Sequence, residues 1–220
     1  MFSSALKKIL NSPYINNKGG SHELFTKNIL IGEGFKEVSN NDIKFNSVEF
    51  WKNHSLQNWE KASNIPNNSV ISQPFGSQKT PDKIIKYKNI LLPWEDKSSK
   101  DTKPTYNGGL PKLECLYVFT SEKHNKTTIF QGKDIITKEK RERLLNLFEK
   151  HKKIDEEFNM NEQKTENDPF ERGFIFYTRA MYDQRCRHLT CSNDYFLHPQ
   201  RENIEKKIID WALKVDSTDI

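Results

Sequence analysis

Residues 113–120 (LECLYVFT) constrain the fold more than any other stretch. Nearly every side chain in the run is apolar or β-forming, the pattern of a strand buried on both faces. The rest of the chain must therefore cover it from above and below. Two shorter β-forming runs precede it, residues 83–87 (KIIKY) and 90–97 (ILLPWEDK), with Lys88-Asn89 between them as a tight turn. Residues 127–130 are expected to return as a further strand after a turn at His124-Asn125-Lys126.

Helical patterns supply the cover. Residues 3–11 place Leu6, Ile9 and Leu10 on one side, and Ser21 caps a second helix in which Leu24, Phe25, Ile29 and Ile31 recur at helical spacing. Residues 45–59 read as a short helix packing on the core. Thr137 is the expected N-cap of the longest helix, whose Leu144, Leu145, Leu147, Phe148, Ile154 and Phe158 form one apolar stripe. A last helix, residues 203–215, is amphipathic around Ile204, Ile208, Ile209 and Trp211. Residues 64–77, rich in Pro, Asn and Gly, read as a loop, and residues 173–177 as a strand or the start of a helix. This order predicts an α/β fold, a mixed central β-sheet flanked by helices.

The 220 residues suffice for one domain with a core that needs no disulfides. At 30% charged and 34% hydrophobic the chain is polar, yet 14 Phe, 7 Tyr and 4 Trp are too many aromatics for a disordered one. Three cysteines make no even framework, which points to a reducing, cytoplasmic setting. No apolar run approaches a membrane span, and the N-terminus lacks the features of a signal peptide. A net charge of +5 permits a polyanionic partner without demanding one.

The chemistry-bearing residues lie on the two short strands. Asp82 and Glu95 are separated by twelve residues, and Lys97 follows two positions after Glu95. Strand alternation points Glu95 and Lys97 to one face and Asp96 to the other. If the two runs form a hairpin, Asp82 at its open end lies beside Glu95 and Lys97. Two carboxylates and an ammonium then converge, each expected to keep the others ionised. That set suits phosphodiester hydrolysis: two hard oxygen ligands for Mg²⁺, and a cation to orient or help deprotonate the attacking water. A slip of one residue would exchange Asp96 for Glu95, but the spacing to Lys97 favours Glu95. Pro93 cannot donate to a central ladder, so it is expected at an edge position or bulge that aims Glu95 at the site. The bland alternative is a surface hairpin whose charges are merely solvated.

Pro81-Asp82 with Glu95-x-Lys97 resembles the signature of the PD-(D/E)xK nuclease superfamily, which includes most type II restriction endonucleases. The context is also similar to a subset of those enzymes. Gln73-Pro74-Phe75-Gly76-Ser77-Gln78 leads into Pro81-Asp82, and Lys97-Ser98-Ser99-Lys100 precedes Tyr106-Asn107-Gly108-Gly109-Leu110-Pro111 and then the apolar strand. The match spans residues 73–120. The resemblance implies a restriction-endonuclease-like core in a single catalytic domain over 1–220. Its core would span about 20–160, with DNA-contacting or dimerisation elements in 170–220. It implies Mg²⁺-dependent cleavage of double-stranded DNA at a specific sequence, leaving 5′-phosphate and 3′-hydroxyl ends. Asp82 and Glu95 would bind metal and Lys97 would position the nucleophile. A homodimer and a cognate DNA methyltransferase as functional partner follow from the same resemblance, as does a site role for the helical acid Glu23. The alternative for Glu23 is a solvated pair with Lys27.

Gln78, Lys100 and Asn107 are candidate DNA contacts, as are Arg179, Arg185 and Arg187 in the Tyr- and Arg-bearing stretch 177–187. Cys186, His188, Cys191 and His198 fall within thirteen residues and raise a zinc site, but their spacing favours buried thiols and loop histidines. Three other readings stay open: a repair or mismatch nuclease of the same fold, a non-catalytic DNA-binding protein, and a basic domain with no DNA function.

Overall fold

In the computed structural model six strands form one sheet in chain order: β1 (Lys36–Glu37), β2 (Ser69–Ser72), β3 (Lys83–Tyr87), β4 (Ile90–Ser99), β5 (Leu116–Ser121) and β6 (Lys126–Gln131). The described residues are 1–16, 20–39, 50–51, 65–77, 79–88, 90–106, 109–162, 175–182, 184 and 193–218. The sheet is mixed, with β1–β2 and β4–β5 parallel and the other pairs antiparallel. Helices α1 (Phe2–Leu10), α2 (Ser21–Gly32), α3 (Gly132–Ile135), α4 (Lys138–Glu162) and α5 (Arg201–Ser217) accompany it. None of these helices is long and apolar enough to cross a membrane.

As the run of β-formers predicts, every residue of β5 is buried. On one face Trp94, Leu116, Val118 and Ile129 pack with Phe2, Leu6 and Ile9 of α1 and with Ile208 and Ala212 of α5. On the other, Cys115, Tyr117, Phe119 and Phe130 pack with Tyr106 and Phe196. The packed core therefore takes in α1 and α5 as well as the sheet. Asp216, at the end of α5, fixes the two ends together. It accepts hydrogen bonds from the Phe2 and Ser3 backbone N–H groups at 3.2 and 3.1 Å and from Ser3 Oγ at 2.6 Å, and pairs with the N-terminal ammonium.

The expected loop at 64–77 contains β2, with Val70 and Ile71 fully buried. Its apolar run is only two residues long, so the turn-forming neighbours mask it. Residues 113–115 turn into β5 rather than belonging to it, with Cys115 N–H donating to Lys112 O at 3.1 Å. Residues 175–180 form neither strand nor helix. They lie on α4, where Asn159 exchanges two hydrogen bonds with the Phe176 backbone and Asp155 accepts from Thr178 N–H. Most of 45–59 lies outside the described residues. Thr137 caps α4 through Oγ1, which accepts from Lys140 N–H at 3.2 Å. The apolar stripe of α4 does not join the core: Leu147, Ile154 and Phe158 are exposed.

Candidate active site

The register of the β3–β4 hairpin builds the site. Lys83 pairs with Trp94, which sets Asp82, one residue before β3, across from Glu95. Pro93 faces Ile84 of β3, while the ladder to β5 begins one residue later at Trp94. Its missing N–H thus falls at a local edge of an otherwise central strand, in keeping with the sequence. Alternation then sends Glu95 and Lys97 to one face and Trp94 and Asp96 to the other.

Glu95 is only 5% exposed. Lys97 Nζ donates to its Oε1 at 2.7 Å, and Thr80 Oγ1 lies 3.4 Å from the same oxygen. Glu95 Oε2 is buried and has no hydrogen-bond partner among the described residues. A buried acceptor in this state costs free energy unless a donor or cation meets it. Asp82 Oδ2 accepts from the Asp96 backbone N–H at 2.7 Å, and the Asp82 carbonyl accepts from Gln73 N–H at 2.6 Å. Glu23, on the first turn of α2, reaches the same corner: Gln73 Nε2 donates to its Oε2 at 3.5 Å.

The electrostatics correct one expectation. Asp82 is not held ionised by its neighbours. Burial first, and then the charges of Glu95, Asp96 and Glu23, push its pKa up to about 8 against the single helping N–H of Asp96. Burial alone would lower Lys97, but Glu95 and Asp82 more than reverse this and raise it. The Cys115 thiol beneath is pushed well up by burial and by Glu95 and Asp82. The corner is thus overloaded with acid, a state that a divalent cation relieves.

On the reverse face Asp96 sits in a buried cluster of its own. It pairs with Lys83, and accepts from Thr26 Oγ1 of α2 and Trp94 Nε1, each at 3.0 Å. Asp96 thus lies on the face away from Lys97, and Glu95 on the same face as it. His22 lies against this cluster, its pKa lowered chiefly by burial. Lys83 and Thr26 were not singled out in the sequence. Alternation shows that Asp96 points away from Glu95, but not that a helix residue 70 positions earlier supplies one of its partners.

The hairpin therefore gathers Asp82, Glu95, Lys97 and Glu23, and the merely solvated surface hairpin does not describe it. Among the described residues no group of three or more His, Cys, Asp or Glu is placed to hold a metal by itself. Mg²⁺ needs only one or two protein carboxylates when waters and phosphate oxygens complete its shell, so the Asp82–Glu95 pair fits it. Lys100 is exposed just past β4, and Arg179 is exposed on the 175–182 segment. Gln78, Asn107, Arg185 and Arg187 lie outside the described residues, as do Cys186, His188 and Cys191. His198 Nδ1 accepts from Gln200 N–H at 3.2 Å. Comparison with models of known protein families, with curated proteins and with solved structures finds no match.

Proposed function

We propose that the chain is a Mg²⁺-dependent endonuclease of double-stranded DNA, a type II restriction enzyme with a restriction-endonuclease-like core of the PD-(D/E)xK kind. The observation that carries this is Glu95 Oε2, buried and without a hydrogen-bond partner among the described residues, with Lys97 two residues further along the same strand and Asp82 opposite, just before β3. A buried acceptor of this kind calls for a donor or a cation, and a divalent ion between the two acids would supply it.

Asp82 and Glu95 would hold the ion, which when bound supplies charge for the scissile phosphate and an acidified water. Glu95 Oε1 orients Lys97, whose ammonium positions the attacking water and faces the charge that builds on the phosphate. Glu23, through Gln73, adds acid at the rim and completes the polar edge. Lys100 and Arg179 are exposed cations available to the DNA backbone. A palindromic site would be met by two copies of the chain, one centre per strand, in a cytoplasm where a methyltransferase protects the host's own DNA.

The test is incubation of the purified chain with unmethylated phage DNA, with and without Mg²⁺. Discrete fragments are expected only with the ion, and Asp82→Ala or Lys97→Ala is expected to slow cutting by about a thousandfold or more. A repair nuclease of the same fold would instead cut mismatched duplexes and leave intact plasmid alone. DNA binding that survives Asp82→Ala, with no cutting by the wild type under any divalent ion, would replace the reading with a non-catalytic binding protein.

A further inference from the structure

Among the described residues, the apolar seam of helix α4 joins none of the buried clusters around the sheet. Its residues Leu144, Leu147, His151, Ile154 and Phe158 follow alternating steps of three and four. At about 100° per residue they fall in one arc of about 80°, the geometry of a coiled-coil stripe. Leu147, Ile154 and Phe158 are 51%, 62% and 50% exposed. The neighbouring face, with Asp155 and Asn159, is the one that holds the 175–182 segment. That segment widens the patch, because Ile175, Phe176, Tyr177 and Met181 are exposed as well. Of the twelve large apolar side chains exposed among the described residues, eight belong to α4 and this segment. Monomeric proteins rarely concentrate apolar surface so strongly without a partner for it.

The charges on α4 say which partner. Residues 138–153 contain seven Lys or Arg against three Glu, whereas residues 154–162 contain four acidic residues and no Lys or Arg. This arrangement opposes the helix's own dipole, which favours acids at the start and bases at the end. It is, however, complementary to itself when a second α4 runs antiparallel. Leu147 then meets Phe158 of the other copy and His151 meets Ile154. Beside the seam the exposed Lys150 faces the exposed Glu157, and a two-fold axis repeats each pair.

We infer that α4 is a homodimerisation arm, and that its occupant is the α4 of a second copy packed antiparallel across the Leu147–Ile154–Phe158 seam. This stands on α4 alone, so it can hold whether or not the corner at Asp82 cuts DNA. The test is sedimentation velocity of the full chain from low to high micromolar. The wild type is expected to pass from monomer to dimer, and Ile154→Asp with Phe158→Asp to remain monomeric, with the wild-type melting temperature at concentrations where the wild type is itself monomeric, since both sites are exposed. Lys150→Glu is expected to raise the dissociation constant by about tenfold, and Glu157→Lys added to it to restore the wild-type value. A wild type that stays monomeric throughout would overturn the inference, as would a dimer indifferent to the seam substitutions. A dimer lost in Lys150→Glu but not regained in the double variant would exclude the antiparallel arrangement.

Discussion

At the scale of single residues, the two faces of β4 divide the labour. Glu95 and Lys97 face the candidate site, while Asp96 anchors the strand from behind through Lys83, Thr26 and Trp94. The Asp96 backbone also donates to Asp82, so the anchor and the site share one residue. Removing one partner of a buried ion pair strands the other, which costs far more than replacing both by apolar groups. Asp96→Asn is therefore expected to destabilise the fold by about 3 kcal/mol, whereas Lys83→Met with Asp96→Leu costs much less, as read from urea unfolding midpoints at constant slope. The triad Asp82, Glu95 and Lys97 was legible because strand alternation and hairpin register are local rules. The high pKa of Asp82 was not, because it depends on burial, which sequence spacing does not report.

At the scale of elements, the junction of β6 and α3 shows what a pattern of apolar residues leaves out. Gly132 opens α3 with its N–H donating to Cys115 O at 3.1 Å. A Cβ built there would stand 2.0 Å from the carbonyl oxygen of Lys112, a backbone atom that cannot step aside cheaply. Gly132→Ala is thus expected to cost about 2–3 kcal/mol and to lower the melting temperature by several degrees, although alanine is the better helix former. The longer elements were readable from period: α1, α2, β3, β4 and the start of α4 all fall within a few residues of expectation. Of the expected caps Thr137 holds, whereas Ser21 is the first residue of α2 and not its cap, a place taken by Gly20 in the left-handed region with no side-chain cap bond. The elements missed, β1, β2 and α3, have too few residues for a period to show. The stripe on α4 was legible as a stripe, but periodicity alone cannot say whether it meets the core or another chain.

At the scale of the whole molecule, the two chain ends meet. Burial alone would raise the Asp216 carboxyl, but bonds from Ser3, Tyr87 and the N-terminal ammonium hold it down to about 2, against an ordinary 3.8. Lys88 Nζ secures the same end of α5 by donating to the Val215, Asp216 and Thr218 carbonyls. Because the folded value lies below the unfolded one, as pH falls the unfolded chain takes up the proton first. The stability this clamp provides is full above about pH 4 and is lost as pH falls towards 2. Asp216→Ala is expected to cost about 2 kcal/mol at neutral pH and to flatten that acid limb in urea titrations run from pH 5 to 2.

The central claim is that acids from two neighbouring strands share a divalent ion, and the most direct measurement is anomalous scattering from crystals grown with Mn²⁺ in place of Mg²⁺. Expected is one anomalous peak in contact with both Asp82 and the Oε2 of Glu95, absent from Glu95→Gln crystals. Full occupancy of metal elsewhere with none at this pair, or a peak that persists unchanged in Glu95→Gln, would contradict it.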